Sequence, residues 1–166
     1  MEKQIESILS RLTLEEKIIL CGGASTMKTA AIERLGIGEM EMSDGPNGVR
    51  STGQPNGEKT TALPAGIALA ASFDTGLAEK YGKTIGLDSR ALNITSSLGP
   101  GINLMRTPLC GRNFEYYGED PYLAGKIAAG YIRGCQQEKV AATPKHLALN
   151  NQEICRTTGS SDIDER

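Results

Sequence analysis

The sequence contains one histidine, two phenylalanines and no tryptophan in 166 residues. Its four cysteines, Cys21, Cys110, Cys135 and Cys155, are scattered, with no C-x-x-C pair. A single imidazole beside unpaired thiols supplies no zinc-ligand spacing, so neither a metal nor a cofactor is expected. Disulfide frameworks belong to short secreted chains. The N-terminal stretch MEKQIESILS mixes charge with apolar residues and has no apolar signal region, which points to a cytoplasmic chain. All four cysteines are therefore expected to be small buried hydrophobes. No run of about 18 apolar residues occurs, so no membrane span is expected. No G-x-x-x-x-G-K-[ST] occurs, and LGPGINL lacks G-x-G-x-x-G and carries a proline, which disfavours a nucleotide-binding α/β domain. A net charge of -2 gives no reason to expect a nucleic-acid or anionic-membrane partner.

What is present suits a globular chain: 39% of residues are hydrophobic and 23% charged. Glycine is abundant, at 20 residues, and clusters in CGG, DGPNG, LGPG, LCGR and YYGEDP, which predicts many tight turns and close backbone approaches. Ile5, Ile8, Leu9 and Leu12 recur at helical spacing. Thr13 and Glu16 form a capping-box pattern, predicting a second helix from Leu14 towards Leu20 that stops at Gly22 and Gly23. A third helix is predicted after Asp74, with Leu77, Tyr81, Ile85 and Leu92 on one face. A fourth begins at Asp120 as N-cap and Pro121 at the first helical position, with Leu123, Ile127, Tyr131 and Cys135 spaced by four. EMEMS, ITSSL and KVAAT read as short strands between these helices. Strand, polar loop and helix alternate, which predicts an α/β fold with parallel strands. A doubly wound sheet and a β/α barrel both satisfy that pattern.

Charged residues follow each strand candidate: Asp44 and Arg50, then Arg106 and Arg112, then Lys145 and His146. In parallel α/β folds ligands bind beyond the carboxyl ends of the strands, so the three junctions suggest one shared pocket. Adjacent cations discourage each other's charge, which predicts a neutral His146. A neutral imidazole both donates and accepts, and lysine donates, so the pair suits a hydroxyl-rich ligand. A histidine merely packed at a strand end is the alternative. Asp44, in SDGPNGVR, either accepts two ligand hydroxyls or closes its own Asx turn. Glycoside hydrolysis needs two carboxyls facing one bond across a defined gap. No spacing among Asp44, Glu115, Glu119, Asp120 and Glu153 identifies such a pair.

The stretches MSDGPNGVR, LGPGINLMRTPLCGRNFEYYGEDPYLAG and VAATPKHLALNNQEICR, in this order, resemble glycoside hydrolase family 3 in its β-glucosidase branch. The likeness runs from about Leu12 to the C-terminus. It implies that residues 1–166 form a partial N-terminal barrel domain, the truncated first half of a (β/α)8 barrel. It also implies that Asp44, Arg112, Lys145, His146 and Arg156 bind the hydroxyls of a terminal sugar. The hexosaminidase branch has KHFPGHG where this sequence continues KHLALNNQE.

The family's nucleophile is an aspartate in an SDW-like segment, and its general acid comes later still. With no tryptophan, the chain lacks that segment. Asp162 or Asp164 before Glu165 looks like a helix start with almost no helix to follow. The resemblance thus implies a fragment that grips a β-glucoside and carries no catalytic residue, the remaining C-terminal part of the same enzyme supplying the chemistry. The full enzyme would form and hydrolyse a glycosyl-aspartate. A non-catalytic carbohydrate-binding module is the competing reading.

Overall fold

The computed structural model describes residues 2–50 and 59–164. The chain divides into two compact units, Met1–Met42 and Ser43–Arg166.

The first unit holds helices α1 (Glu2–Arg11) and α2 (Leu14–Cys21), followed by a small antiparallel hairpin of β1 (Gly23–Ser25) and β2 (Lys28–Thr29). The capping box forms as its spacing predicts. Glu16 N–H donates to Thr13 Oγ1 at 3.2 Å and Thr13 N–H donates to Glu16 Oε2 at 2.9 Å, satisfying two otherwise orphaned amides. Gly22 closes α2 by donating to Ile19 O at 3.1 Å. The apolar stripe of α1 is only partly covered: Ile5 is 52% and Leu9 48% exposed, whereas Leu12, just past the helix, is buried. The hairpin strands read GAS and KT, too short and too polar to carry an alternating signal.

The second unit is α/β. Its sheet has the order β3 (Met42–Asp44), β4 (Ser96–Leu98), β5 (Ala141–Ala142). Strands β4 and β5 are parallel, with Ser96 opposite Ala141 and Ser97 opposite Ala142. The helix α5 (Pro121–Gln137) lies between them in sequence, making a β–α–β unit. The paired strands are shorter than EMEMS, ITSSL and KVAAT suggest. Beyond β4 the ladder continues only as single bridges, from Gly101 to Lys145 and to Tyr116. A short helix, α3 (Gly66–Ala70), and the long α4 (Thr75–Ala91) precede β4.

Both long helices start where their caps predict. Asp74 accepts from Gly76 N at 2.8 Å and Leu77 N at 3.0 Å; Asp120 accepts from Tyr122 N at 2.8 Å, with Pro121 needing no donor. The core lies along their facing sides: Ala78, Tyr81, Ile85, Ile127, Ala128, Tyr131 and Cys135 are buried with Leu92 and Val140. Leu77 departs from the expected face and is 44% exposed.

The two helices approach closely because glycines leave room. A Cβ on Gly82 would sit 1.9 Å from Tyr131 O, and one on Gly134 1.9 Å from Glu79 O. These glycines build a helix contact rather than a turn.

The cysteine expectation needs correcting. Cys110 and Cys135 are buried, but Cys21 and Cys155 are exposed. Cys21 ends a helix with no buried residue, and Cys155 lies in a surface turn; neither has apolar surroundings to enter. Asp162 and Asp164 lie in exposed irregular backbone, and Glu165 is outside the described residues. No described helix is long and apolar enough to cross a membrane.

Candidate ligand-binding site

The loop after β3 sets the first functional side chain. Gly45 takes φ +111, a conformation that L side chains rarely adopt, and a Cβ there would meet Gly48 O at 1.9 Å. The fold-back is closed by Gly48 N–H to Gly45 O at 3.2 Å and Arg50 N–H to Asp44 O at 3.1 Å. Asp44 Oδ1 then accepts from Gly45 N at 2.9 Å and from Lys145 Nζ at 2.5 Å. The turn contact and the interaction with another chain segment therefore coexist on one oxygen.

Lys145 is positioned by its backbone. Its N–H donates to Pro100 O at 3.0 Å, and its carbonyl accepts from Ile102 N at 2.7 Å. The side chain is only 13% exposed, and Nζ also lies 3.4 Å from Glu115 Oε2. Glu115 closes a 3-10 turn (Asn113–Glu115), is buried, and pairs with Arg112 Nε. Arg112 Nε lies 3.9 Å from Glu153 Oε1, and Glu153 Oε2 accepts from Arg156 Nη1 at 3.0 Å. The result is an alternating run of charge: Asp44, Lys145, Glu115, Arg112, Glu153, Arg156.

Two cavities adjoin this run. The larger, about 630 Å³, is lined by Asp44, Arg112, Glu115 and Arg156 with the Gly45–Arg50 loop and Phe114. The smaller, about 340 Å³, is lined by His146, Arg156 and parts of the 148–161 segment. Asp44, Arg112 and Arg156 thus share a cavity. Lys145 braces it through Asp44 and Glu115, and His146 meets Arg156 across the second. Among the described residues no group of three or more His, Cys, Asp or Glu side chains could hold a metal ion.

The electrostatics follow from these contacts. Burial pushes the Asp44 carboxyl up, but Lys145, the Gly45 amide and Arg112 together hold it below its ordinary value. Burial likewise raises Glu153, and Arg156, Asn150 and Arg112 overcome it, again holding the carboxyl low. His146 is pushed below the ordinary imidazole value, first by burial, then by Arg112 and only then by Lys145. The sequence neighbour is the smallest of these three causes.

Glu115, Tyr116, Asn150 and Glu153 belong to the same cluster. Tyr116 Oη lies 3.0 Å from His146 Nδ1 and accepts from Asn150 Nδ2 at 2.7 Å. The three-residue spacing of Arg112 and Glu115 was a readable signal for that pair; nothing in the sequence marks Tyr116 or Asn150. The arrangement offers fixed acceptors alternating with fixed donors, which suits an uncharged ligand bearing several hydroxyls.

Comparison with known proteins gives the cluster a context. The family model described as "Glycosyl hydrolase family 3 N terminal domain" matches residues 17–153. The thermostable beta-glucosidase B of Acetivibrio thermocellus is 43% identical over 173 aligned positions, covering 100% of this chain and 23% of that protein. Among solved structures, beta-glucosidase 3B from Thermotoga neapolitana in complex with α-D-glucose superposes with a TM-score of 0.84 at 38% identity, over 90% of this chain and 24% of the other. The Kluyveromyces marxianus beta-glucosidase in complex with glucose gives 0.86 at 44% identity, over 90% and 18%. The chain therefore spans about a quarter or less of the length of these relatives.

Proposed function

The chain belongs to glycosyl hydrolase family 3, and from that premise we propose that it forms the sugar-gripping first half of a (β/α)8 barrel in a retaining β-glucosidase. The observation that carries this reading is Asp44. It stands at the end of a strand, beside a parallel pair, with its carboxylate fixed by Lys145 and open to a cavity that Arg112 and Arg156 also line. A carboxylate accepts from sugar hydroxyls and the guanidinium groups donate to them, so one ring can be held from several sides. That two solved relatives hold glucose supports a glucosyl unit as the ligand.

In this reading the reacting carboxylates come from outside these 166 residues. A general acid must keep a proton near neutral pH, and a raised pKa is how glycosidases achieve that. Asp44 and Glu153 are both shifted the other way. Glu115 is buried and held between two cations, Arg112 and Lys145, so its lone pairs are already engaged. The local carboxylates orient the cations that orient the sugar.

The test is the hydrolysis of a chromogenic β-glucoside by the enzyme encoded by the complete reading frame. Turnover that is lost in Asp44→Ala supports the reading. Glucose binding without turnover in that complete polypeptide would identify a carbohydrate-binding module instead.

A further inference from the structure

We propose that Glu153, Asn150 and Tyr116 fix the tautomer of His146, keeping its proton on Nε2 so that the imidazole presents a donor and no acceptor to a ligand. The tautomer itself stands on hydrogen-bond geometry. Its use, donation to a sugar oxygen, rests on the β-glucosidase reading above.

The order of donors can be followed from one end. Glu153 is an ionised carboxylate and only accepts. The group 3.0 Å from its Oε1 is therefore the amide nitrogen of Asn150, not the amide oxygen. That same nitrogen lies 2.7 Å from Tyr116 Oη and donates to it. The phenol has one proton, and with Asn150 already donating, it is free to point elsewhere. Two acceptors are within reach: His146 Nδ1 at 3.0 Å and Asn150 O at 3.4 Å. The second is long for an O–H···O bond, whose ordinary length is about 2.7–2.8 Å. Asn150 O also already accepts from Asn103 Nδ2 at 3.2 Å. The proton goes to Nδ1. A nitrogen that accepts is unprotonated, so the ring proton resides on Nε2.

The surroundings keep each state in place. Tyr116 is fully buried, and burial raises its phenol, so it stays protonated and able to donate. The charged groups facing the imidazole are Arg112 and Lys145, which oppose its protonation, and Glu115 and Glu153, which favour it; burial and the cations prevail, and the ring is neutral. The Tyr116 and His146 rings meet edge to face at 89° with centroids 5.8 Å apart, which limits rotation of either. Asn150 is anchored by its own N–H to Asn103 Oδ1 at 3.0 Å. His146 lines the smaller cavity, where a ligand can meet its ring.

Tyr116, Asn150 and Glu153 are thus positioning residues that act through His146. Asp44 can only accept and His146 can only donate, so the two offer complementary hydrogen bonding to hydroxyl groups.

A single histidine makes the test clean. The chain is labelled with ¹⁵N-histidine and the long-range proton–nitrogen spectrum is recorded above the imidazole pKa, without sugar. The expected result is one pyridine-like nitrogen assigned to Nδ1 and one pyrrole-like nitrogen assigned to Nε2. A proton on Nδ1 overturns the proposal, whether or not any variant folds. In Tyr116→Phe, which keeps the ring and deletes the hydroxyl, a mixture of tautomers is expected. An unchanged single tautomer in a folded Tyr116→Phe chain would also overturn it. So would the same mixture in Tyr117→Phe, which deletes a neighbouring buried phenol outside the hydrogen-bond chain. An even mixture halves the competent population, so the apparent Kd for glucose rises about twofold. Failure of glucose to bind at all counts against the β-glucosidase reading and leaves the tautomer result standing.

Discussion

Asp44 accepts from its own turn and from a distant lysine through the same oxygen. Replacing it has two separable consequences. Asp44→Ala is expected to lower kcat/KM for a β-glucoside in the complete enzyme by several hundredfold or more. That corresponds to the loss of two charge-assisted hydrogen bonds to sugar, each roughly 1.5–3 kcal/mol. Glu33→Ala, in an exposed 3-10 turn, is expected to change little. The melting temperature of Asp44→Ala should fall as well, because the Gly45 amide loses its acceptor and the Lys145 ammonium is left with Glu115. Reduced stability with unchanged kinetics would confine Asp44 to its turn.

His146 gives the site a pH signature. Its folded pKa lies below the ordinary 6.5. As pH falls through 6.5 the unfolded chain binds a proton that the folded chain refuses, so stability declines from there down to the folded pKa. The lowered carboxyls of Asp44 and Glu153 act with the same sign further down, beginning below 3.8 and 4.5. Melting temperatures measured in steps from pH 7.5 to 4.5 should decline below 6.5, and His146→Gln should flatten that upper part. A wild-type profile flat across this range would contradict the shift. At this scale residue chemistry alone leaves Asp44 open between ligand and turn, and His146 open between ligand and packing; the family resemblance of their stretches is what points to a site. The Tyr116–Asn150 contact was not legible, since 34 residues separate two side chains with no local signature.

The helices were legible through their ends. Asp74, Asp120 and the Thr13–Glu16 box are local chemistry, and local chemistry is what a sequence displays. The glycines were only half legible. Those in DGPNG make a turn, whereas Gly82 and Gly134 sit inside helices where no turn exists, and only the packing of α4 on α5 explains them. A matched pair on α5 checks this. Gly134→Ala would force a methyl group against Glu79 O and is expected to destabilise by about 1–3 kcal/mol, the range for overpacking. Gly125→Ala meets nothing within 4 Å on the exposed side and is expected to stabilise by up to about 1 kcal/mol through helix propensity. Chemical denaturation of both variants decides the point; equal effects would remove the close-approach account. Of the three strand stretches only EMEMS alternates, and the paired strands are shorter than all three. Their ladder thins to single bridges near Gly101, where loop and cluster residues take over the backbone groups.

At the scale of the whole molecule, the α/β class followed from alternation of strands and helices, and the parallel β4–β5 pair with α5 between realises it. The separate first unit did not follow, because its polar hairpin and half-covered helix look like any surface segment. The purified 166-residue chain is expected to show no measurable hydrolysis of a chromogenic β-glucoside, since the carboxylates around its cavity are committed to cations. Each tenfold of rate is about 1.4 kcal/mol of barrier, and a site whose carboxylates are all held by cations forgoes many such factors. Turnover abolished by mutating one of the chain's own carboxylates would contradict this.

The run from Asp44 to Arg156 carries three carboxylates and three cations, whose charges cancel within a few ångströms. Arg50, 3.9 Å from Asp44 Oδ2 on the wall of the same cavity, is the cation left over. Beyond a Debye length, about 8 Å in physiological salt, one exposed cation is largely screened. Long-range attraction of an anion to this cavity is therefore slight, and added salt removes what there is.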